Sequence, residues 1–353
     1  MQDMMIYGAY GYTGELTARE AVRRGERPIL AGRSDAKLKP LAEELDLPFR
    51  AFDVTEAASQ LDGVKVLLNC AGPFARTAPA LIDACIAAGV HYVDITGEIA
   101  IFAHCQERDA DARAAGVILC PGAGFDIVPT DCLAAELKAR LPEAETINLA
   151  FSFGTKPSIG TATTAIEAMK DGGMIRRDHK LVPVGNGYRI RRISFPDGRQ
   201  WAVTLPWGDV YTSGVSTGVP NGMVYAAVPL PMALAMRLTS PFRGLTAKPA
   251  IRTRLDRMVK KFFSGGPDDA ARATQRTEFW GEAIAPGGKR LALHFSAPNV
   301  YSLTVDTCFE IARWCQSQSG HAGFQTPSML LGADFITSRP EVTAMTEVGA
   351  AAA

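Results

Sequence analysis

The chain has no excess of charge of either sign: 37 Lys and Arg offset 37 Asp and Glu across 353 residues. That balance argues against a nucleic-acid surface, which needs a basic surplus to displace counterions. There is no Cys-x-x-Cys spacing, and the seven cysteines are an odd number, so neither a disulfide framework nor a zinc signature is present and no metal is expected. Cys70, Cys85, Cys120 and Cys308 sit in apolar surroundings and read as buried thiols. No charged n-region with an apolar core precedes Met5, so no signal peptide and a cytoplasmic protein are expected. Residues 223–238 come nearest to a membrane segment. They fall short of the ~20 residues a spanning helix needs and are broken by Pro229 and Pro231. The plain reading is a strand, a Pro-Leu-Pro turn and a buried helix; an apolar substrate tunnel or a shallow peripheral membrane contact are the alternatives. Also missing is a Tyr with Lys four positions on, the pair that short-chain dehydrogenases use to lower a phenol pKa.

What is present is concentrated at the start. Met5 to Gly14 reads Met-Ile-Tyr-Gly-Ala-Tyr-Gly-Tyr-Thr-Gly: an apolar run, then Gly8, Gly11 and Gly14 before good helix formers. A strand, a tight glycine turn and a helix N-terminus form the local geometry that receives a dinucleotide pyrophosphate. Tyr10, Tyr12 and Thr13 fill the same turn and are cofactor-contact candidates with the three glycines.

The length fits two domains. Over the first 131 residues strands (4–8, 28–32, 49–53, 64–69, 91–95, 117–121) alternate with helices (36–44, 79–88, 99–115). Val-, Ile- and Leu-rich strands separated by helices predict a doubly wound parallel (Rossmann) sheet buried on both faces. After Cys132 the texture changes. A strand over 146–154 and hairpins pairing 187–195 with 199–205 and 275–284 with 290–297 predict a second α+β domain (132–322) on a largely antiparallel sheet. Its helices are placed near 162–170, 250–263 and 300–316. The segment 323–348 is expected to return to the first domain.

The end of strand two selects the cofactor. An NAD enzyme usually has Asp or Glu there for the ribose hydroxyls; this chain has Arg33 and Ser34. A guanidinium pairs bidentately with a 2′-phosphate and the hydroxyl adds a donor, which favours NADP(H). Asp35 reads as the cap of the following helix. Asp53 and Val54 end strand three, where a side chain flanks the adenine. Asn69, Ala71, Gly72 and Pro73 end strand four at the switch point where ligands collect. Thr96, Gly97 and Glu98 follow strand five. Asp126 and Asp131 follow strand six, with Thr130 or Asp131 alternatively capping a helix over 133–140.

These segments together resemble the saccharopine dehydrogenase-like oxidoreductases, and among them the trans-acting enoyl reductase branch. The likeness rests on Met5–Gly14, Leu30-Ala-Gly-Arg33, Asn69-Cys-Ala-Gly-Pro73, Tyr92-Val-Asp-Ile-Thr-Gly-Glu98 and Gly124-Phe-Asp-Ile-Val-Pro-Thr-Asp131. Tyr301-Ser-Leu-Thr304 and Thr326-Pro-Ser-Met-Leu-Leu-Gly332 fit more loosely. The resemblance implies an NADP-binding domain followed by a catalytic, dimerising α+β domain, and a hydride-transfer reaction on a substrate that differs across the family. A homodimer acting on a small, apolar molecule is the expectation.

Three functions follow. The leading one is NADPH-dependent reduction of an activated C=C bond in a lipid- or polyketide-like acyl group; Asp126, Tyr211 and His294 are the candidate proton donors. The second is C=N reduction of the saccharopine dehydrogenase type. The third is a non-catalytic NADP(H)-binding sensor or scaffold.

Overall fold

The computed structural model describes residues 3–153, 172–242, 274–318 and 320–349, and among these it holds two β-sheets. The helices expected near 162–170 and 250–263 lie outside the described residues. Two compact units divide the chain: residues 1–128 with 301–330, and residues 129–300 with 331–353. The helix over 300–316 thus belongs almost wholly to the first unit, and of the C-terminal segment only 323–330 joins it.

The first unit is built on β1 (Met4–Tyr7), β2 (Ile29–Gly32), β3 (Phe49–Ala51), β4 (Val66–Asn69), β5 (His91–Asp94) and β6 (Ile118–Cys120). Its sheet is parallel in the order β6-β5-β4-β1-β2-β3. The chain reverses its direction of travel between β1 and β4, which makes the crevice at their carboxyl ends the place for a ligand. Every residue of β1, β2 and β4 is buried, as unbroken apolar runs require of strands covered on both faces. Each fully buried Leu or Ile there contributes about 1.5–3 kcal/mol.

Helices α1 (Tyr12–Arg23), α2 (Asp35–Leu45), α3 (Phe74–Ala88), α4 (Ile99–Glu107) and α5 (Asp109–Ala114) alternate with these strands. Three details correct the sequence expectation. Ser34, not Asp35, occupies the N-cap position of α2, and Asp35 is its first residue. The helix expected from Pro79 begins a turn earlier, at Phe74, because Glu98 supplies acceptors for its first amides. The helix expected over 99–115 is two, parted at Arg108. The sheet is completed from far along the sequence: Gly323–Phe324 pairs in parallel with β6.

The second unit opens with helix α6 (Val128–Arg140), whose start at Val128 places Thr130 and Asp131 in its first turn instead of at its cap. Its sheet carries β7 (Thr146–Ser152), β8 (Gly173–Arg177), β9 (Lys180–Val184), β10 (Ile190–Phe195), β11 (Gly198–Leu205), β12 (Asn221–Ala227), β13 (Arg276–Ile284) and β14 (Arg290–Pro298), with helices α7 (Asp209–Thr217) and α8 (Leu230–Thr239). The central order is β10-β11-β12-β7-β13-β14; only β12 and β7 are parallel, and both expected hairpins form. Leu133 and Leu137 of α6 lie where a Cβ on Gly281 of β13 would stand, so a glycine lets the helix seat on the strand. On the other face the sheet curls until Ile193 and Phe195 pack with Tyr225 and Trp280. Residues 223–238 form the strand and helix expected, but the helix is not buried. Ala233 and Met236 cover Val203, while Met232, Leu234 and Leu238 are 53%, 45% and 73% exposed. No described helix is long and apolar enough to cross a membrane.

Candidate functional site

The glycine turn joins β1 to α1 with little room to spare. Gly8 has φ +82°, and a Cβ there would stand 2.8 Å from the backbone nitrogen of Ala71 in the loop after β4. A Cβ on Gly14 would overlap the Gly8 carbonyl oxygen. Glycine at both positions therefore draws the helix end and two strand ends into one crevice. Gly11 is the N-cap of α1 and has no side chain to accept from the first-turn amides. Those amides, at the positive end of the helix, suit an anion.

At the end of β2 the ring of Tyr10 lies against Gly32, where a Cβ would meet its Cε1 at 2.7 Å. The Lys37 ammonium stands 5.5 Å from the centre of that ring. Arg33 is exposed, and neither it nor Lys37 has an acidic partner among the described residues. Lys37 escaped the sequence reading; the signal was its spacing, four residues after Arg33 on the opening of a helix. Asp53 is occupied otherwise: its Oδ1 accepts from the Thr55 amide at 3.2 Å and Glu56 answers on the Asp53 amide, a capping box ahead of the 3₁₀ turn from Val54.

The loops after β4, β5 and β6 are tied together by side chains. Asn69 Oδ1 accepts from the Ala71 amide at 2.9 Å, while its Nδ2 donates to Tyr92 Oη and Thr77 Oγ1. Thr77 Oγ1 donates to the Ala71 carbonyl at 2.7 Å, so Ala71, Gly72 and Pro73 leave the strand on a fixed path. Asp94 is fully buried: it accepts from Tyr92 Oη at 2.8 Å and from the amides of Thr96 and Gly122 at 2.9 Å. Burial pushes its carboxyl up to about 6 despite those three donors. Thr96 Oγ1 accepts from the Glu98 amide, and both Glu98 oxygens accept from the first amides of α3, Phe74 at 3.0 Å and Ala75 at 2.9 Å. Glu98, expected at the cofactor, is thus also the cap that starts α3.

Asp126 lies beside this pair, against Gly97. Burial, and then the charge of Glu98, push its carboxyl up to about 7. The crevice so holds one carboxylate engaged with amides and one carboxyl near its midpoint at neutral pH.

Helix α9 (Val300–Gln316) completes this edge. Thr304 Oγ1 accepts from the Phe125 amide at 3.0 Å, Thr307 Oγ1 donates to the Ala123 carbonyl at 2.9 Å, and Tyr301 meets Tyr12 edge-on at 4.9 Å. Arg24 of α1 binds Asp306 and Glu310 of the same helix, and Thr17 lies 3.8 Å from Cys308. Cys70, expected to be buried, is half-buried at the end of β4.

The other two candidate donors belong to the second unit. Tyr211 sits on α7, its carbonyl accepting from Arg176 Nη2 at 2.8 Å and its ring 5.9 Å from that guanidinium. His294 sits on β14 opposite Trp280. Helix α7 packs on β12, three strand positions from β14, or roughly 14 Å. The structure does not bring the two together. Gly214-Val-Ser216-Thr-Gly218 has hydrolase-like spacing, but Ser216 is within α7 and donates to the Thr212 carbonyl, not at the strand-to-helix turn a nucleophile requires.

Residues 4–120 match the model of the saccharopine dehydrogenase NADP binding domain. In sequence the chain is similar to the trans-acting enoyl reductase of Mycobacterium ulcerans, 31% identical over 203 residues, which cover 51% of this chain and 47% of that protein. The trans-acting enoyl reductase of Mycobacterium tuberculosis is 30% identical over 203 residues with the same coverage. The chain spans about half the length of the curated relatives it matches. In structure, the apo histidine-tagged saccharopine dehydrogenase (L-Glu forming) from Saccharomyces cerevisiae matches 99% of this chain and 100% of that one, with TM-score 0.67 and 9% identity, which shows a common fold.

Proposed function

We propose that the chain, whose residues 4–120 match the saccharopine dehydrogenase NADP binding domain, is an NADPH-dependent oxidoreductase reducing an activated C=C bond of a hydrophobic, enoyl-type substrate. The observation that carries the reading is the Asp126 carboxyl, half-buried in the crevice beside Glu98 and pushed up to about 7, by desolvation first. An acid with a pKa near the working pH is suited to give up a proton during reaction.

The residues present fit the dinucleotide. The uncapped amides of α1, reached past Gly8, Gly11 and Gly14, would take the pyrophosphate. Arg33 and Lys37 would take a 2′-phosphate, with Ser34 as a further donor and Tyr10 beside them. The loop from Asn69 to Pro73 and the Thr96–Glu98 turn would line the nicotinamide half. When bound, NADPH supplies the hydride. Asp126 holds the proton for the second carbon of the double bond and is left as the carboxylate. Glu98, fixed by two amides, adds to the rise in the Asp126 pKa that burial begins. Tyr211 and His294 have no part in this assignment; Asp126 is the one of the three candidates on the nucleotide-binding unit.

The names of the curated relatives support an enoyl substrate over an imine. Following NADPH oxidation with a panel of enoyl thioesters and cyclic imines tests it. Turnover of the thioesters alone is expected. Turnover of the imines alone would move the assignment to C=N reduction, and turnover of neither would leave a nucleotide-binding protein without this activity.

A further inference from the structure

A cavity of 570 Å³ lies wholly within the second unit, at the end of the sheet where Ile284 and Arg290 flank the β13–β14 turn. Four arginines line it, Arg189, Arg191, Arg237 and Arg290, against one carboxylate, Glu282. In a chain of zero formal charge this is a local surplus of three positive charges.

Among the described residues the surplus is not neutralised from within. Glu282 is 1% exposed and accepts from Arg191 Nη1 at 3.0 Å, Arg290 Nη1 at 3.1 Å and Asn148 Nδ2 at 3.3 Å. Burial alone would raise its pKa, but these donors, Arg191 foremost, hold it below the usual range. It is therefore charged and already shared by two of the arginines. Arg189 and Arg237 have no acidic partner among the described residues. Arg191 is held with its guanidinium 4.7 Å from the Trp280 ring, so part of the site is preorganised. Asn148 Oδ1 is buried without a hydrogen-bond partner among the described residues, an acceptor left for a hydroxyl or a water.

We propose that this cavity is a second ligand site, for the phosphate group of a small phosphate ester or of a lipid headgroup. Several guanidinium forks around one space match the tetrahedral, multiply charged oxyanion better than a single carboxylate. Both sources are compatible with its setting, since Arg237 is on α8, the helix that exposes Met232, Leu234 and Leu238.

The test uses the full chain with saturating NADPH, so that the nucleotide crevice is filled. Calorimetry is run with pyrophosphate and glycerol 3-phosphate, and flotation with phosphatidylcholine vesicles with and without phosphatidic acid. The double variant Arg189→Ala, Arg237→Ala breaks no ion pair among the described residues, and its circular dichroism melt and NADPH affinity are expected to match the parent. Binding of a soluble probe, weakened at least tenfold in the variant, assigns a free phosphate ester. Capture by phosphatidic acid vesicles alone, lost in the variant, assigns a headgroup. No binding of any probe, or binding that the variant leaves unchanged, overturns the proposal.

Discussion

The Asp126 carboxyl rests on Gly97, its Oδ2 3.0 Å from where a Cβ on that glycine would stand. The glycine gives the acid its place, so a methyl group there must move it. Gly97→Ala is expected to lower kcat, and to weaken NADPH binding as well because the Thr96–Glu98 turn would line the nicotinamide half. Asp126→Asn, which keeps the shape and removes the proton, is expected to lower kcat about 10²–10⁴-fold, the usual size of general acid catalysis. In the parent kcat should decline as pH rises through about 7, where Asp126 loses its proton. A variant with parental kcat would remove Asp126 from the mechanism.

Stability should carry the same signature. Asp126 and Asp94 are raised from 3.8 to about 7 and about 6, each mainly by burial. Above pH 4 the unfolded chain has released protons that the native protein still holds, so the free energy of unfolding falls as pH rises to 7. Asp126→Asn removes the larger part of this slope. Urea melts should show the variant gaining on the parent between pH 5 and pH 8, by up to a few kcal/mol. Equal slopes would mean that the carboxyl is not held protonated.

Glu98 couples two roles. Glu98→Gln removes the like charge beside Asp126, so the alkaline decline in kcat should move to lower pH. It also weakens the cap on Phe74 and Ala75, with a loss of about 1 kcal/mol in stability. A pH profile that stays in place would show that Glu98 acts on the helix alone.

Gly14→Ala places a methyl group on the Gly8 carbonyl oxygen, with backbone on both sides and no side chain to yield. A cost of about 1–3 kcal/mol is expected, as in other overpacked sites, together with weaker nucleotide binding. Gly25→Ala is no useful control because φ is +81° there, whereas Gly349, with nothing within 4 Å of its added Cβ, should tolerate alanine. A Gly14→Ala protein melting with the parent and binding NADPH equally well would refute the packing account.

Features carried by local pattern were legible in the sequence. The glycine turn, the apolar parallel strands and helix α9 over Val300–Gln316 fall where periodicity and turn residues put them. The parts that escaped depend on distant partners. Nothing near Phe74 announces that Glu98 will cap it, and nothing near Thr304 announces its bond to Phe125, 179 residues away in sequence. That second contact is one of those that place α9 in the nucleotide-binding unit. The exposed side of α8 escaped for a different reason. Met232, Leu234 and Leu238 look like core residues, and composition does not tell an apolar helix with one covered side from one covered all round.

The account depends most on the positive end of β2. Titration calorimetry of the parent and of Arg33→Ala, Lys37→Ala with NADPH and NADH tests it directly. Two charge-assisted contacts to a 2′-phosphate are worth about 1.5–3 kcal/mol each, so the double variant should lose NADPH affinity at least tenfold while NADH binding hardly changes. Equal losses for both dinucleotides, or a parent that binds NADH as tightly as NADPH, would contradict it.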